Sequence, residues 1–302
     1  MLTPAEEADH LKLAADIAGL EPPEVVLPES HQVVIHRMRF HYLDWGTKGR
    51  KPILLFHGAA QNAHAWDLIC LMLRRNYYCI ALDQRGHGDS EWEPAGDYSL
   101  ESQTADVEGF IEKLKPHRPL LIGHSMGGIA AIGYALRHAA AMAGLVLIDV
   151  AAEVSNDGAN RRTGATFNQR REFESVDEIM ARAMASNPRR NAVLLRRNLM
   201  HNLRRLPNGK WIWKYDPNRD FAIDRAARAR KILAGCHDIS CPTLIMRGER
   251  SDILTEESAA SFARALPHGR WIRIANAGHT IHADNPRGLL EALAPFLAEI
   301  GF

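Results

Sequence analysis

Short uninterrupted apolar runs recur along the chain, each closed by glycine, proline or a charged residue. They are PILLFHG at 52–58, YYCIALD at 77–83, RPLLIGHS at 118–125, GLVLIDV at 144–150, PTLIMRGE at 242–249 and RWIRIANAG at 270–278. Runs of this length without strict alternation predict strands buried on both faces. Upstream, QVVIHR at 32–37 and MRFHYLDW at 38–45 are alternating or β-rich, and predict an opening antiparallel pair. Helical patterns lie between the runs. Leu100–Leu114 follows Ser99 as N-cap, Met126–His138 is rich in Ala and Ile, Thr255–Leu266 opens on a capped first turn, and Pro286–Ile300 follows Asn285, with Asp284 as a further capping group. Strands alternating with helices predict an α/β fold: a mostly parallel, eight-stranded sheet with helices on both faces.

Two segments stand outside this rhythm. Thr3–Leu20 reads as a short amphipathic helix, with Thr3 as cap, Pro4 in its first turn and Gly19 near its end. Pro22, Pro23 and Pro28 then stiffen the connection, so residues 1–30 form an N-terminal helical appendage. Residues 151–235 separate two strands by far more than an ordinary connection. They read as mostly helical, broken at Pro188, Pro207-Asn208-Gly209 and Pro217. The organisation expected is a core of 31–150 and 236–302, with 151–235 as a helical cap.

Charge sharpens that division. The chain of 302 residues carries +1 overall, which gives no global attraction to nucleic acid or an anionic membrane surface. Yet residues 151–235 hold 18 Lys and Arg against 9 Asp and Glu, leaving the remainder acidic. With Trp211, Trp213, Tyr215 and Phe221, this segment looks like a cover over a site, Trp211 and Trp213 being candidate substrate contacts. Its arginines are equally the solvated faces of surface helices. Cys70, Cys79, Cys236 and Cys241 form no C-x-x-C pair and read as reduced thiols. Cys236-His237 with Cys241 lacks a second ligand pair, so no metal is expected. The first twenty residues carry acids where a signal peptide carries bases, and no run approaches a membrane span. The expectation is a cytoplasmic protein with a small-molecule substrate, no nucleic-acid or membrane partner, and a homodimer left open.

Gly123-His124-Ser125-Met126-Gly127 fits G-x-S-x-G directly after an apolar run and directly before a helical pattern. A nucleophile on a tight strand-to-helix turn projects its oxygen from the sheet. Small residues two positions to either side let the backbones meet, and the helix N-terminus adds positive potential where negative charge develops.

At this point the chain resembles the α/β-hydrolase superfamily. His57-Gly58, Asp83-x-Arg85-Gly86-His87-Gly88-x-Ser90, Gly123 to Gly128, Arg247-Gly248 with Ser251-Asp252, and Gly278-His279 occur in the superfamily's order over about 30–302. The resemblance implies Ser125 as nucleophile and His279, after the last strand run, as its base; His282 is read as a supporting residue. For the orienting acid, Asp252 is taken, with Asp149 at the end of LVLID as the rival. The backbone N–H groups of Met126 and Ala59 are expected to form the oxyanion hole. His57, His87 and His124 are read as structural, and the DQRGHGDS segment as scaffold. The activity implied is ester hydrolysis through an acyl-enzyme, without cofactor, losing rate in acid around the ordinary histidine range of about 6–7. Carbon–carbon hydrolysis, lactone opening, perhydrolysis and a slow-turnover ligand receptor use the same residues. A serine-histidine oxygenase or lyase without cofactor is another alternative.

Overall fold

A computed structural model describes residues 3–155, 172–186, 191–217 and 224–302. Helix α1 (Pro4–Ile17) is followed by β1 (Glu29–Ile35), β2 (Met38–Asp44) and β3 (Lys51–Phe56). A 3-10 turn at Ala63–Trp66 leads into α2 (Asp67–Leu73), then β4 (Tyr77–Leu82), α3 (Leu100–Leu114), β5 (Leu120–His124), α4 (Met126–His138) and β6 (Gly144–Ile148). The insertion contributes α5 (Val176–Ser186), α6 (Ala192–Asn202), β7 (Leu203–Arg205), β8 (Trp211–Trp213) and α7 (Arg225–Gly235). The chain closes with β9 (Thr243–Gly248), α8 (Glu256–Ala265), β10 (Gly269–Ile274), α9 (Ile281–Asp284) and α10 (Pro286–Glu299).

Eight strands form one sheet in the order β1-β2-β4-β3-β5-β6-β9-β10. The pairs β1–β2 and β2–β4 are antiparallel and the others parallel; the opening antiparallel pair and the mostly parallel sheet are as expected from the sequence. The apolar runs are unbroken because both faces are covered. Leu54, Phe56, Leu121, Leu145, Leu147 and Ile245 pack with Phe110 of α3, Ile132 of α4 and Phe262 of α8. Their strand neighbours Ile53, Leu55, Ile122, Val146, Ile148 and Met246 pack on the other face with Leu11 of α1, Ile69 of α2 and Phe296 of α10. Each such side chain is worth roughly 1.5–3 kcal/mol when fully buried.

The helix starts follow the expected capping chemistry. Thr3 Oγ1 accepts the Glu6 N–H while the Glu6 carboxylate returns to the Thr3 N–H at 2.7 Å. Ser99, Thr255 and Asn285 cap α3, α8 and α10 by accepting the N–H three residues on. Asp284 does not cap the last helix: its carboxylate accepts the Gly278 N–H at 2.9 Å and so braces the loop that carries His279. The four cysteines are buried free thiols, and burial pushes the Cys241 thiol up to about 11. Among the described residues no helix is long and apolar enough to cross a membrane.

The insertion differs from an all-helical cap. Pro207-Asn208-Gly209 does not merely break a helix; it turns the chain between β7 and β8, with Gly209 at φ 86° and the Leu206 N–H donating to the Lys210 carbonyl at 2.7 Å. An asparagine-glycine pair supplies the positive φ such hairpins require. The break at Pro188 and the side chain of Phe221 lie outside the described residues.

The basic excess of the insertion is spent in part on the acidic body. Lys214 meets Asp89 at 2.9 Å, Lys231 meets Glu101 of α3, and Arg197 of α6 bridges Glu7 of α1 and Asp67 of α2, each at 2.7 Å. The last is the consequential one, because Arg197 and Asp67 side chains are only 12% and 2% exposed. Asp67 also accepts from His64 Nδ1 at 3.0 Å, and the His64 and His201 rings stack 3.7 Å apart. Burial alone would raise the Asp67 carboxyl, but His64 and Arg197 outweigh it and hold it far below the usual carboxylate range. Burial likewise opposes charge on His64, yet Asp67 lifts it above the ordinary value, while burial and the neighbouring His64 charge hold His201 down.

Removing one member of a buried ion pair strands its partners. Arg197→Met should lower unfolding stability by about 3–5 kcal/mol, read by urea denaturation near neutral pH. The pH signs follow from the shifts. Asp67 contributes above about pH 4 and loses its contribution in stronger acid. His64 contributes fully below about pH 6.5 and loses that contribution as pH rises through its raised value. The stability gap between wild type and His64→Gln should therefore narrow on the alkaline side.

Candidate active site

Ser125 sits between β5 and α4 with φ 50° and ψ −114°, a left-handed backbone that L residues seldom adopt. Neighbouring glycines make the turn sterically feasible. A Cβ on Gly123 would lie 2.5 Å from the Gly127 carbonyl, and one on Gly127 would lie 2.3 Å from the Phe56 carbonyl. The Ser125 N–H donates to the Ile148 carbonyl at 3.1 Å, and the Gly127 N–H to the His57 carbonyl at 3.1 Å. These bonds tie the turn to both flanking strands. Ser125 and Met126, the first residue of α4, are half-buried.

His279 lies in the loop after β10 and is nearly buried, at 8% exposure. Its Nδ1 is 2.7 Å from Asp149 Oδ2, so the proton on Nδ1 leaves Nε2 as the basic nitrogen. The pairing expected with Asp252 is corrected here: the carboxylate on His279 is that of Asp149, directly after β6. Asp149 is fully buried, whereas Asp252 is exposed on the turn after β9. The reason lies in how the two loops fold. Asp149 has φ 51°, which turns its side chain inward; its Oδ1 accepts the Gly248 N–H at 2.9 Å and its Oδ2 the Ser251 hydroxyl at 2.5 Å. Ser251 in turn accepts the N–H groups of Ile253 and Leu254, so the serine beside Asp252 serves Asp149.

Ala59 stands in the turn after β3, ahead of Ala60 at φ 60°. The Gly58 N–H donates to Gln61 Oε1 at 2.9 Å and the Gln61 N–H returns to the Gly58 carbonyl at 3.2 Å, which closes the turn. His57 holds its stem: Nδ1 donates to the Gly58 carbonyl at 2.7 Å, and Nε2 accepts the Gln84 N–H at 3.0 Å. The DQRGHGDS segment is scaffold, as expected. Asp83 accepts from His41 Nδ1, the Ala63 N–H and the Asp89 N–H, and Arg85 pairs with buried Asp106.

Trp211 and Trp213, the candidate substrate contacts, both lie on β8. Both pack half-buried against the small core of the insertion, formed by Phe173, Val176, Ile179, Leu195, Leu199 and Leu203. Trp213 meets Phe173 edge-on at 6.1 Å and stacks on Tyr215 at 5.6 Å. Their bulk stabilises the insertion itself. Sequence reasoning missed Gln61, whose amide joins the turn after β3 to His124 and His282. Nothing in its immediate neighbours marks it.

Among the described residues, two groups bring three potential metal ligands together: His64, Asp67 and His201, and His41, Asp83 and Asp89. In the first, the imidazole planes lie 17° apart, so their lone pairs run side by side instead of converging, and Arg197 already occupies Asp67. In the second, Asp83 is taken up by the bonds just described.

Comparison with known proteins agrees with this geometry. Residues 53–292 match the model of the alpha/beta hydrolase family. The chain is 33% identical to esterase Rv0045c of Mycobacterium tuberculosis over 96% of its own length and 95% of the relative's. The crystal structure of that esterase superimposes with a TM-score of 0.80 over 99% of this chain and 100% of its own, at 31% identity. Similarity extends to the mouse sn-1-specific diacylglycerol lipase ABHD11, at 27% identity over 86% of this chain and 85% of that protein. A strained serine turn at one end of β5, a buried acid–imidazole pair beside it and a family match over most of the sequence agree: this chain belongs to the alpha/beta hydrolase family.

Proposed function

We propose that the protein is a serine esterase that cleaves a carboxylic ester of a small to medium molecule through an acyl-enzyme at Ser125. One observation carries this reading: a buried carboxylate, Asp149, holds the Nδ1 proton of His279, leaving Nε2 free to act as base. Ser125 Oγ attacks the ester carbonyl carbon as its proton passes to His279 Nε2. Asp149 stabilises the imidazolium so formed. The N–H groups of Met126 and Ala59 receive the anionic oxygen, which strengthens as the tetrahedral intermediate forms. The intermediate collapses, and His279 protonates the departing alcohol. Water then attacks the acyl carbon, gives its proton to His279, and the same imidazole returns a proton to Ser125 as the acid leaves.

The described elements of the insertion, α5, α6, β7, β8 and α7, act as a cap over this edge, seated by the ion pairs of Arg197, Lys214 and Lys231. The similarity to a mycobacterial esterase over nearly the whole chain makes the ester the bond to test first. A panel of p-nitrophenyl esters graded by acyl length should give steady multiple turnover, with a maximum at one chain length. A single burst equal to the enzyme concentration, with no steady rate across the panel, refutes esterase action.

A further inference from the structure

The histidine beside the nucleophile makes a pair of contacts that a neutral ring does not satisfy. Gln61 has its amide orientation fixed by the Gly58 N–H, which donates to Oε1 at 2.9 Å; Nε2 then faces His282 Nε2 at 3.2 Å. The same Oε1 lies 3.0 Å from His124 Nδ1. The other ring nitrogen, His124 Nε2, lies 2.9 Å from the backbone carbonyl oxygen of His279. Both neighbours are acceptors only. A neutral imidazole owns one N–H and would turn a lone pair against one of these oxygens. The closeness is built in: a Cβ on Gly58 would come within 2.3 Å of His124 Nδ1.

We propose that His124 is held as a buried imidazolium that ties the oxyanion turn and the His279 loop to the nucleophile turn, acting as a positioning residue for the esterase reaction. The proposal rests on the esterase reading for its kinetic consequence, though not for the charge itself. The surrounding groups allow one positive charge here. His57, on the turn after β3, is neutral, because Nε2 accepts from Gln84. His282 of α9, with its ring 4.7 Å away, is neutral at Nε2, where it accepts from Gln61. The His279 ring is also 4.7 Å away, and beyond it stands the Asp149 carboxylate, just past the strand that pairs with His124; Asp284, at the end of α9, supplies a second carboxylate to the His279 loop. A fixed cation so close to His279 opposes a second one. It also places positive potential behind the turn that receives the oxyanion.

The test pairs spectroscopy with kinetics. In the full chain labelled with 15N-histidine, long-range spectra at pH 7 should show both ring nitrogens of His124 in the imidazolium region. The signals are assigned by their loss in His124→Gln, or in His124→Asn should the first variant fail to fold. Either variant retains a donor but no charge. The acid limb of its kcat/KM profile should move to higher pH by about one unit or more. A structural role alone would lower the rate without moving the limb. A one-proton pattern at His124 overturns the proposal, and so does an acid limb that superimposes on wild type. Failure of the esterase reading looks different: Ser125→Ala would keep its turnover while the ring signals of His124 stay unchanged.

Discussion

Ser125→Ala should lower kcat for the best ester of the panel by about 10⁵–10⁶-fold with little change in binding. The loss is large because the alcohol is the atom that bonds to the acyl carbon; without it, only water delivered by His279 and an oxyanion site remain. Residual rate over the uncatalysed reaction should persist, since the Met126 and Ala59 amides proposed as oxyanion donors are backbone groups and survive the substitution. Alanine also fits the φ of 50° no worse than serine, so thermal unfolding should be unchanged and the loss assignable to chemistry. Stopped-flow turnover with active-site titration measures it. A variant within tenfold of wild type would remove Ser125 from the mechanism.

The second large effect separates two aspartates that stand at equivalent places after neighbouring strands. Asp149→Asn should cost about 10⁴-fold in kcat, whereas Asp252→Asn should stay within a few-fold. An amide at 149 offers the His279 Nδ1 one acceptor at best, and it must also answer the Gly248 N–H and the Ser251 hydroxyl, which now bond to a carboxylate. The imidazole is then free to place its proton on Nε2, the nitrogen required as base, and it loses the charge that stabilises its protonated form. Asp252 is exposed, where a neutral replacement is tolerated. Parallel assays of the two variants at the pH optimum decide the matter. Equal losses, or the reverse order, would return the orienting role to the loop after β9.

That pair also shows where the sequence stops being legible. The strands were readable because burial on two faces erases the polar alternation, and the nucleophile turn because backbone contact at Gly123 and Gly127 excludes any side chain. The caps at Thr3, Ser99, Thr255 and Asn285 were readable because a side-chain oxygen meets an N–H three residues on. The acid was not, because LVLID and IMRGERSD both put an aspartate just past a strand. What distinguishes them is a positive φ at Asp149 and the hydroxyl of Ser251, neither of which a spacing rule registers. Trp211 and Trp213 are ambiguous in the sequence for a related reason. Aromatic residues in an insertion advertise buried area, but not whether that area closes over a ligand or over Phe173. The hairpin at Asn208-Gly209 carried its usual turn signal, overshadowed by strands only three residues long on either side.

The bridge from Glu7 through Arg197 to Asp67 has a consequence for anyone exchanging parts between relatives of this chain. The transplantable module is not the contiguous stretch 151–235, because its anchor is split between the opening helix and the segment after β3. A graft that moves the insertion alone brings a guanidinium without its two carboxylates into the recipient and leaves Glu7 and Asp67 without their cation in the chain it came from. Only a graft that also carries the first turns of α1 and the His64–Asp67 segment preserves the seat.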